Sequence, residues 1–235
     1  MLASPQSNCS HALEPAPHVP PARPLERRVS VPEVGLTAHW LLPLLFFASG
    51  FAALLYQVVW QRTLFSIYGI NIESVTVIVT AFMVGLGFGS LAGGAISRIR
   101  ALPVVLWFAA VETAIGAYGL ASLSLFRWLG GATLLESPSV IALVTFLMVL
   151  VPTTLMGATL PLLVAHFTRQ SRNVGDAVGK LYYVNTLGAA GASILSVVFL
   201  LGHLGQAHTV QLAAVLNLGS ALVAFCLHAR QGAVQ

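Results

Sequence analysis

Six long apolar stretches decide most of what this chain can fold into. They lie at about His39–Trp60, Ser74–Ile96, Leu102–Phe126, Ser139–His166, Gly179–Leu201 and His208–Leu227. A hydrocarbon core about 30 Å thick is crossed by ~20 helical residues, each rising ~1.5 Å. Inside that core every backbone N–H and C=O must find its partner within the protein, and continuous apolar runs of this length do so as helices. Charged residues make up 8% of the 235, against ~25% in an ordinary soluble domain. The expectation is an all-α integral membrane protein with a six-helix transmembrane domain over residues 39–229, in contact with the lipid bilayer. The fourth stretch contains Pro152 and Pro161, so it is expected to be kinked, tilted or broken.

The flanks differ in kind. Residues 1–38 are rich in Pro, Ala, Ser and His without apolar periodicity, which predicts a disordered tail. No apolar segment follows early enough for a signal peptide. Arg27-Arg28 reads as a basic flank of the first helix rather than as a twin-arginine signal. Residues 230–235 form a short second tail. Arg23, Arg27, Arg28, Arg98, Arg100, Arg169, Arg172, Lys180 and Arg230 all fall on one side of a six-span chain, and Arg62 and Arg127 on the other. That bias predicts both termini in the cytoplasm. Because topology accounts for the net charge of +4, no nucleic-acid partner is expected. Cys9 and Cys226 are far apart and read as free thiols.

Within the spans, polar residues are few. Glu112 is the one charge in Leu102–Phe126. A carboxylate at mid-bilayer costs at least ~2.5–3.5 kcal/mol on insertion scales, so it faces a partner, a cavity or another helix. Trp107 and Tyr118 share its span, and aromatic faces beside a carboxylate suit an organic ammonium. The competing reading is a structural hydrogen bond to a neighbouring helix. Tyr182, Tyr183, Asn185 and Thr186 in the fifth span, and Tyr56 and Gln57 in the first, are candidate binding residues whose bland alternative is interhelical bonding. Thr153, Thr154 and Thr159 are placed to bond backbone groups freed by the two prolines. Arg62 and Glu73 could pair across the first outer loop, and Asp176 and Lys180 are spaced for a helix-surface ion pair. His203 and His208 bracket the last outer loop without a third ligand nearby, so no metal and no cofactor is expected.

Small residues recur in the second and fifth spans. Gly85, Gly89 and Gly93 stand four apart, as Gly188 and Gly191 stand among alanines and serines. Such spacing lets helices approach closely in lipid. Both are the middle helix of a three-helix set, which suggests two three-helix repeats of opposite topology.

Several segments together resemble the membrane region of the fused major-facilitator/spermidine-synthase family, bacterial membrane proteins related to polyamine aminopropyltransferases. They are Ser49–Arg62, Ser74–Thr76, Ala81–Ser90, Glu112–Tyr118, Pro152–Pro161 and Gly179–Ala189, in that order. The resemblance spans about Leu41 to Asn217. It implies a half-major-facilitator-like bundle in the bacterial inner membrane. Two departures matter. These residues contain no glycine-rich strand–turn–helix for a nucleoside cosubstrate and no acidic pair for an amine. Ser97 also stands where the superfamily's Gly-x-x-x-Asp-Arg loop has its acid. The expectation is therefore a non-catalytic module, not an enzyme, that anchors or serves a partner protein. The alternatives are a homodimeric transporter of an amine or other cation and an accessory subunit of a larger membrane complex.

Overall fold

The computed structural model describes residues 33–69, 72–99, 103–133, 135–171 and 173–232. Among them every long element is a helix: α1 (Glu33–Tyr68), α2 (Ile72–Ser97), α3 (Val104–Thr133), α4 (Pro138–Ser171), α5 (Val174–His203) and α6 (Gly205–Gly232). α5 is α-helical to Leu195, passes through a π-helical turn at Ser196–Leu200 and ends as α-helix at His203. Each of the six is long and apolar enough to cross a membrane. The expected six-span, all-α, multi-pass architecture is borne out.

The helix ends differ from the sequence reading in a consistent way. α1 continues past Trp60 to Tyr68, and α3 continues past Phe126 to Thr133. Arg62 and Arg127 therefore lie within helices, not in loops. Long basic side chains at a helix end can reach the interface while their helix stays whole. The two extensions support each other, because the Tyr68 hydroxyl and Thr133 Oγ1 are hydrogen-bonded at 2.8 Å. α1 also begins at Glu33, inside the stretch expected to be a tail. The rest of that tail, with Arg23, Arg27, Arg28 and Cys9, lies outside the described residues, as do Arg100, Arg172 and the side chain of Glu73. Gly69, with φ of 89°, ends α1, and its N–H bonds the Phe65 carbonyl at 2.9 Å. Gly205, with φ of 70°, turns the chain between α5 and α6. Both positions need the left-handed conformation that glycine adopts without a Cβ penalty.

The closest helix pairings are symmetric. α2 packs along α4, and α5 packs along α1. α1 packs on α6, and α4 packs on α3. The third span packs on the sixth. Exchanging the first three helices for the last three reproduces this set. The equivalence extends to single residues. A Cβ on Gly89 of α2 would strike the Thr154 carbonyl and the Ala158 amide of α4. A Cβ on Gly188 of α5 would strike the Phe47 carbonyl and the Phe51 amide of α1. Gly157 meets Leu86 as Gly50 meets Asn185. One shift of register relates α1 to α4 in all these contacts, and one relates α2 to α5. The two halves are an inverted pair built on the same backbone-to-backbone approach.

The core follows from this pairing. Trp60 of α1 stacks on Tyr56 at 4.9 Å and meets Tyr118, Phe126 and Phe82 at 5.7, 5.9 and 6.3 Å. Its indole N–H donates to Ser122 Oγ at 2.9 Å, so a large buried ring has its polar atom satisfied. A second cluster, with Leu42, Phe46, Phe108, Leu163 and Leu181, fills the other end of the bundle.

Of the glycines expected to mediate packing, Gly85, Gly89, Gly93 and Gly188 do so. Gly191 does not: a Cβ there would meet only the Phe51 ring at an ordinary 3.9 Å. It lies three residues past Gly188 and has rotated off the contact line. Gly87 faces open space. Forcing a methyl into a backbone contact costs about 1–3 kcal/mol. Gly89→Ala and Gly188→Ala should each lower unfolding stability by about that amount, while Gly87→Ala and Gly191→Ala should leave it unchanged. Steric-trap or denaturant unfolding in micelles measures the difference.

Candidate functional site: the buried carboxylate and its partners

Glu112 sits in the third span with no exposed surface. α3 places it two turns inside its start at Val104, on the face turned toward α1 and α6. Ser49 Oγ of α1 donates to Oε1 at 2.5 Å. Asn217 Nδ2 of α6 donates to Oε2 at 2.6 Å. Both carboxylate oxygens are engaged by protein donors, which is the condition under which a carboxylate can be held in a dry interior. Asn217 is 1% exposed, and its Oδ1 has no protein partner among the described residues. The Glu112–Asn217 bond joins α3 to α6, the one closely packed pair that the internal exchange maps onto itself. It therefore lies near the pseudo-axis and ties one half to the other.

Ser49 and Asn217 were not singled out as site residues from the sequence. Asn217 carried a signal, since an amide in the middle of a sixth apolar span needs a partner for the same reason as Glu112. Nothing in the linear order says that these two spans touch.

The aromatic residues expected beside Glu112 are placed elsewhere. Trp107 is 39% exposed, on the outer surface of α3. Tyr118 turns to α4, where its hydroxyl donates to the Met148 carbonyl at 2.6 Å. That carbonyl lies four residues before Pro152 and is the one that the missing proline N–H leaves free. The second proline is served in the same way. Pro161 frees the Gly157 carbonyl, which accepts from Ser90 Oγ of α2 at 3.2 Å. α4 consequently runs unbroken through both prolines. The three threonines expected in this role bond other carbonyls: Thr153 to Val149, Thr154 to Leu150 and Thr159 to Met156. Within its own helix a threonine reaches carbonyls three or four residues upstream, and neither Met148 nor Gly157 stands at that spacing from Thr153, Thr154 or Thr159. Thr153 also reaches the Ala81 carbonyl of α2 at 3.4 Å.

Tyr56 is fully buried, with its hydroxyl over Gly119 and no hydrogen-bond partner among the described residues. Gln57 is half-buried on α1. Asn185 lies half-buried against Gly50. Tyr182 and Tyr183 are 62% and 66% exposed on the outward face of α5. The candidate residues are thus spread over three different surfaces. Asp176 and Lys180 form the expected pair at 2.9 Å. The Ser97 carbonyl accepts from Arg169 at 2.9 Å. A basic side chain on α4 thereby holds the C-terminal end of α2, where cations are favoured. His203 packs on Phe199 at 4.6 Å, and His208 bonds the Leu204 carbonyl at 2.9 Å.

Two substitutions separate a cross-link from a binding group. In Glu112→Gln the amide oxygen can accept from Ser49 while its N–H reaches Asn217 Oδ1 after a flip of that amide. The fold should survive with little loss. Glu112→Leu strands both partners and should cost about 1–3 kcal/mol. Tyr118→Phe should cost about 1 kcal/mol. It should cost almost nothing in a Pro152→Ala background, where the Met148 carbonyl regains its helical donor. Unfolding midpoints in a common detergent read all of these.

No family model, curated protein or solved structure matches this chain.

Proposed function

We propose that this chain is a non-catalytic membrane module of the spermidine-synthase-like family, a half-major-facilitator-like body that holds a transmembrane partner along α2 and α5. The observation that carries this reading is the distribution of burial. In the 18-residue apolar stretches of α2 and α5, 28% and 22% of the residues are buried, against 39–50% in those of the other four. These are exchange-equivalent helices, so the bundle has two related flanks with little protein on them. Their outward faces carry large apolar side chains with small residues and hydroxyls set among them. α2 presents Val79, Met83, Leu86, Phe88 and Leu91 with Gly87 between them. α5 presents Gly179, Tyr182, Tyr183, Thr186, Leu187 and Ala190, which line a shallow depression. Small residues and hydroxyls are what helix interfaces in lipid use, because packing and hydrogen bonding replace the absent hydrophobic drive.

The ordered resemblance of the spans supports the family. Arg98, Arg169, Lys180 and Arg230 fall at the end of the bundle where α1 begins, which supports cytoplasmic termini in a bacterial inner membrane. The alternative, a carrier in which Glu112 receives an amine, would require a path to a side chain that has no exposed surface.

Extraction from native membranes into polymer nanodiscs, without detergent, tests the proposal. The protein mass per particle should exceed one chain. Gly87→Trp with Thr186→Trp, both in open positions, should reduce the partner's recovery without changing the melting point of the chain. Recovery of the wild-type chain alone contradicts the reading.

A further inference from the structure

A cavity of about 250 Å³ lies where the first turns of α5 meet the start of α1 and the end of α4. Trp40 and Pro43 of α1, Phe167 of α4, and Ala177, Leu181 and Val184 of α5 form its walls. Asp176 and Lys180 complete it. Their side chains are 44% and 65% exposed, so they stand at the mouth, touching both the cavity and the surroundings.

Three features narrow what can occupy it. First, the volume falls below the ~300–1,000 Å³ of sites that enclose a whole small molecule. Only part of a ligand fits, and the remainder lies outside. Second, the walls are apolar, so the part that enters is hydrocarbon. Third, the mouth carries one carboxylate and one ammonium side by side, 2.9 Å apart. The carboxylate keeps a second oxygen, and the ammonium keeps two further protons, for a ligand. A purely anionic head would meet Asp176 as a like charge, and a purely cationic head would meet Lys180. A head with a phosphate and an ammonium satisfies both. A primary ammonium can donate hydrogen bonds to Asp176, which a quaternary one cannot. Trp40, 76% exposed at the same end of the bundle, is the residue type that sits at headgroup depth.

We infer that this cavity binds one phospholipid with a zwitterionic, primary-amine headgroup. A length of acyl chain lies among Phe167, Leu181 and Val184, the phosphate lies on Lys180, and the ammonium lies on Asp176. The Asp176–Lys180 pair is then a headgroup receptor as well as a helix-surface ion pair.

Native mass spectrometry of the full chain, released from micelles supplied with phosphatidylethanolamine, phosphatidylcholine or phosphatidylglycerol, tests this. The expected result is one retained phosphatidylethanolamine, preferred about tenfold over each of the other two lipids, a difference of ~1.4 kcal/mol. Asp176→Asn with Lys180→Gln changes only exposed side chains and should erase that preference. Val184→Phe should lower retention of all three lipids by filling the cavity. Equal retention of the three by the wild-type chain overturns the inference. So does preference for phosphatidylglycerol, or a preference for phosphatidylethanolamine that survives in the double variant. Soluble phosphoethanolamine should not displace the lipid. If it does, the apolar cavity plays no part and the inference fails.

Discussion

Lipid gives apolar helices no reason to leave it for one another, and that constraint governs this molecule. Association must come from close backbone approach and from polar groups that have nowhere else to go. The chain uses the first device at its two flanks, where Gly85, Gly89, Gly93 and Gly188 bring helix backbones into direct contact. It uses the second at its centre, where Glu112 draws donors from α1 and α6. The internal exchange of halves unites the two devices. The glycine contacts also run between the halves, and the exchange duplicates the approach: α2 meets α4 at Gly89 as α5 meets α1 at Gly188. The Glu112–Asn217 bond crosses between the halves and is not duplicated.

The same logic explains why α4 tolerates two prolines. Each freed carbonyl is a polar group in hydrocarbon, and each receives a hydroxyl from a different neighbour, Tyr118 of α3 and Ser90 of α2. α4 is thereby pinned on both sides at defined heights. What could have been weak points in the span become its registration points. Tyr118, a candidate for ligand binding on chemistry alone, is occupied with this task.

The number of spans was legible because apolar length is a one-dimensional property. The ends of α1 and α3 were not, because Arg62 and Arg127 resemble loop residues until the Tyr68–Thr133 contact places them on extended helices. That α2 and α5 carry packing glycines was legible from spacing. Which glycines make the contact was not, since Gly188 and Gly191 differ only in the direction they face. That Glu112 needs a partner followed from its charge. That the partners are Ser49 and Asn217 follows only from a topology that sets the third span against the first and sixth.

Glu112 and Asn217 act as one unit that joins the two halves. A double-mutant cycle on unfolding stability, with Glu112→Leu, Asn217→Leu and the pair together, addresses that directly. Each single change strands the other group, whereas the double change removes both. The double variant should therefore be at least ~1 kcal/mol more stable than the sum of the single losses implies. Additivity within ~0.5 kcal/mol would mean that the two residues act independently and would contradict the account.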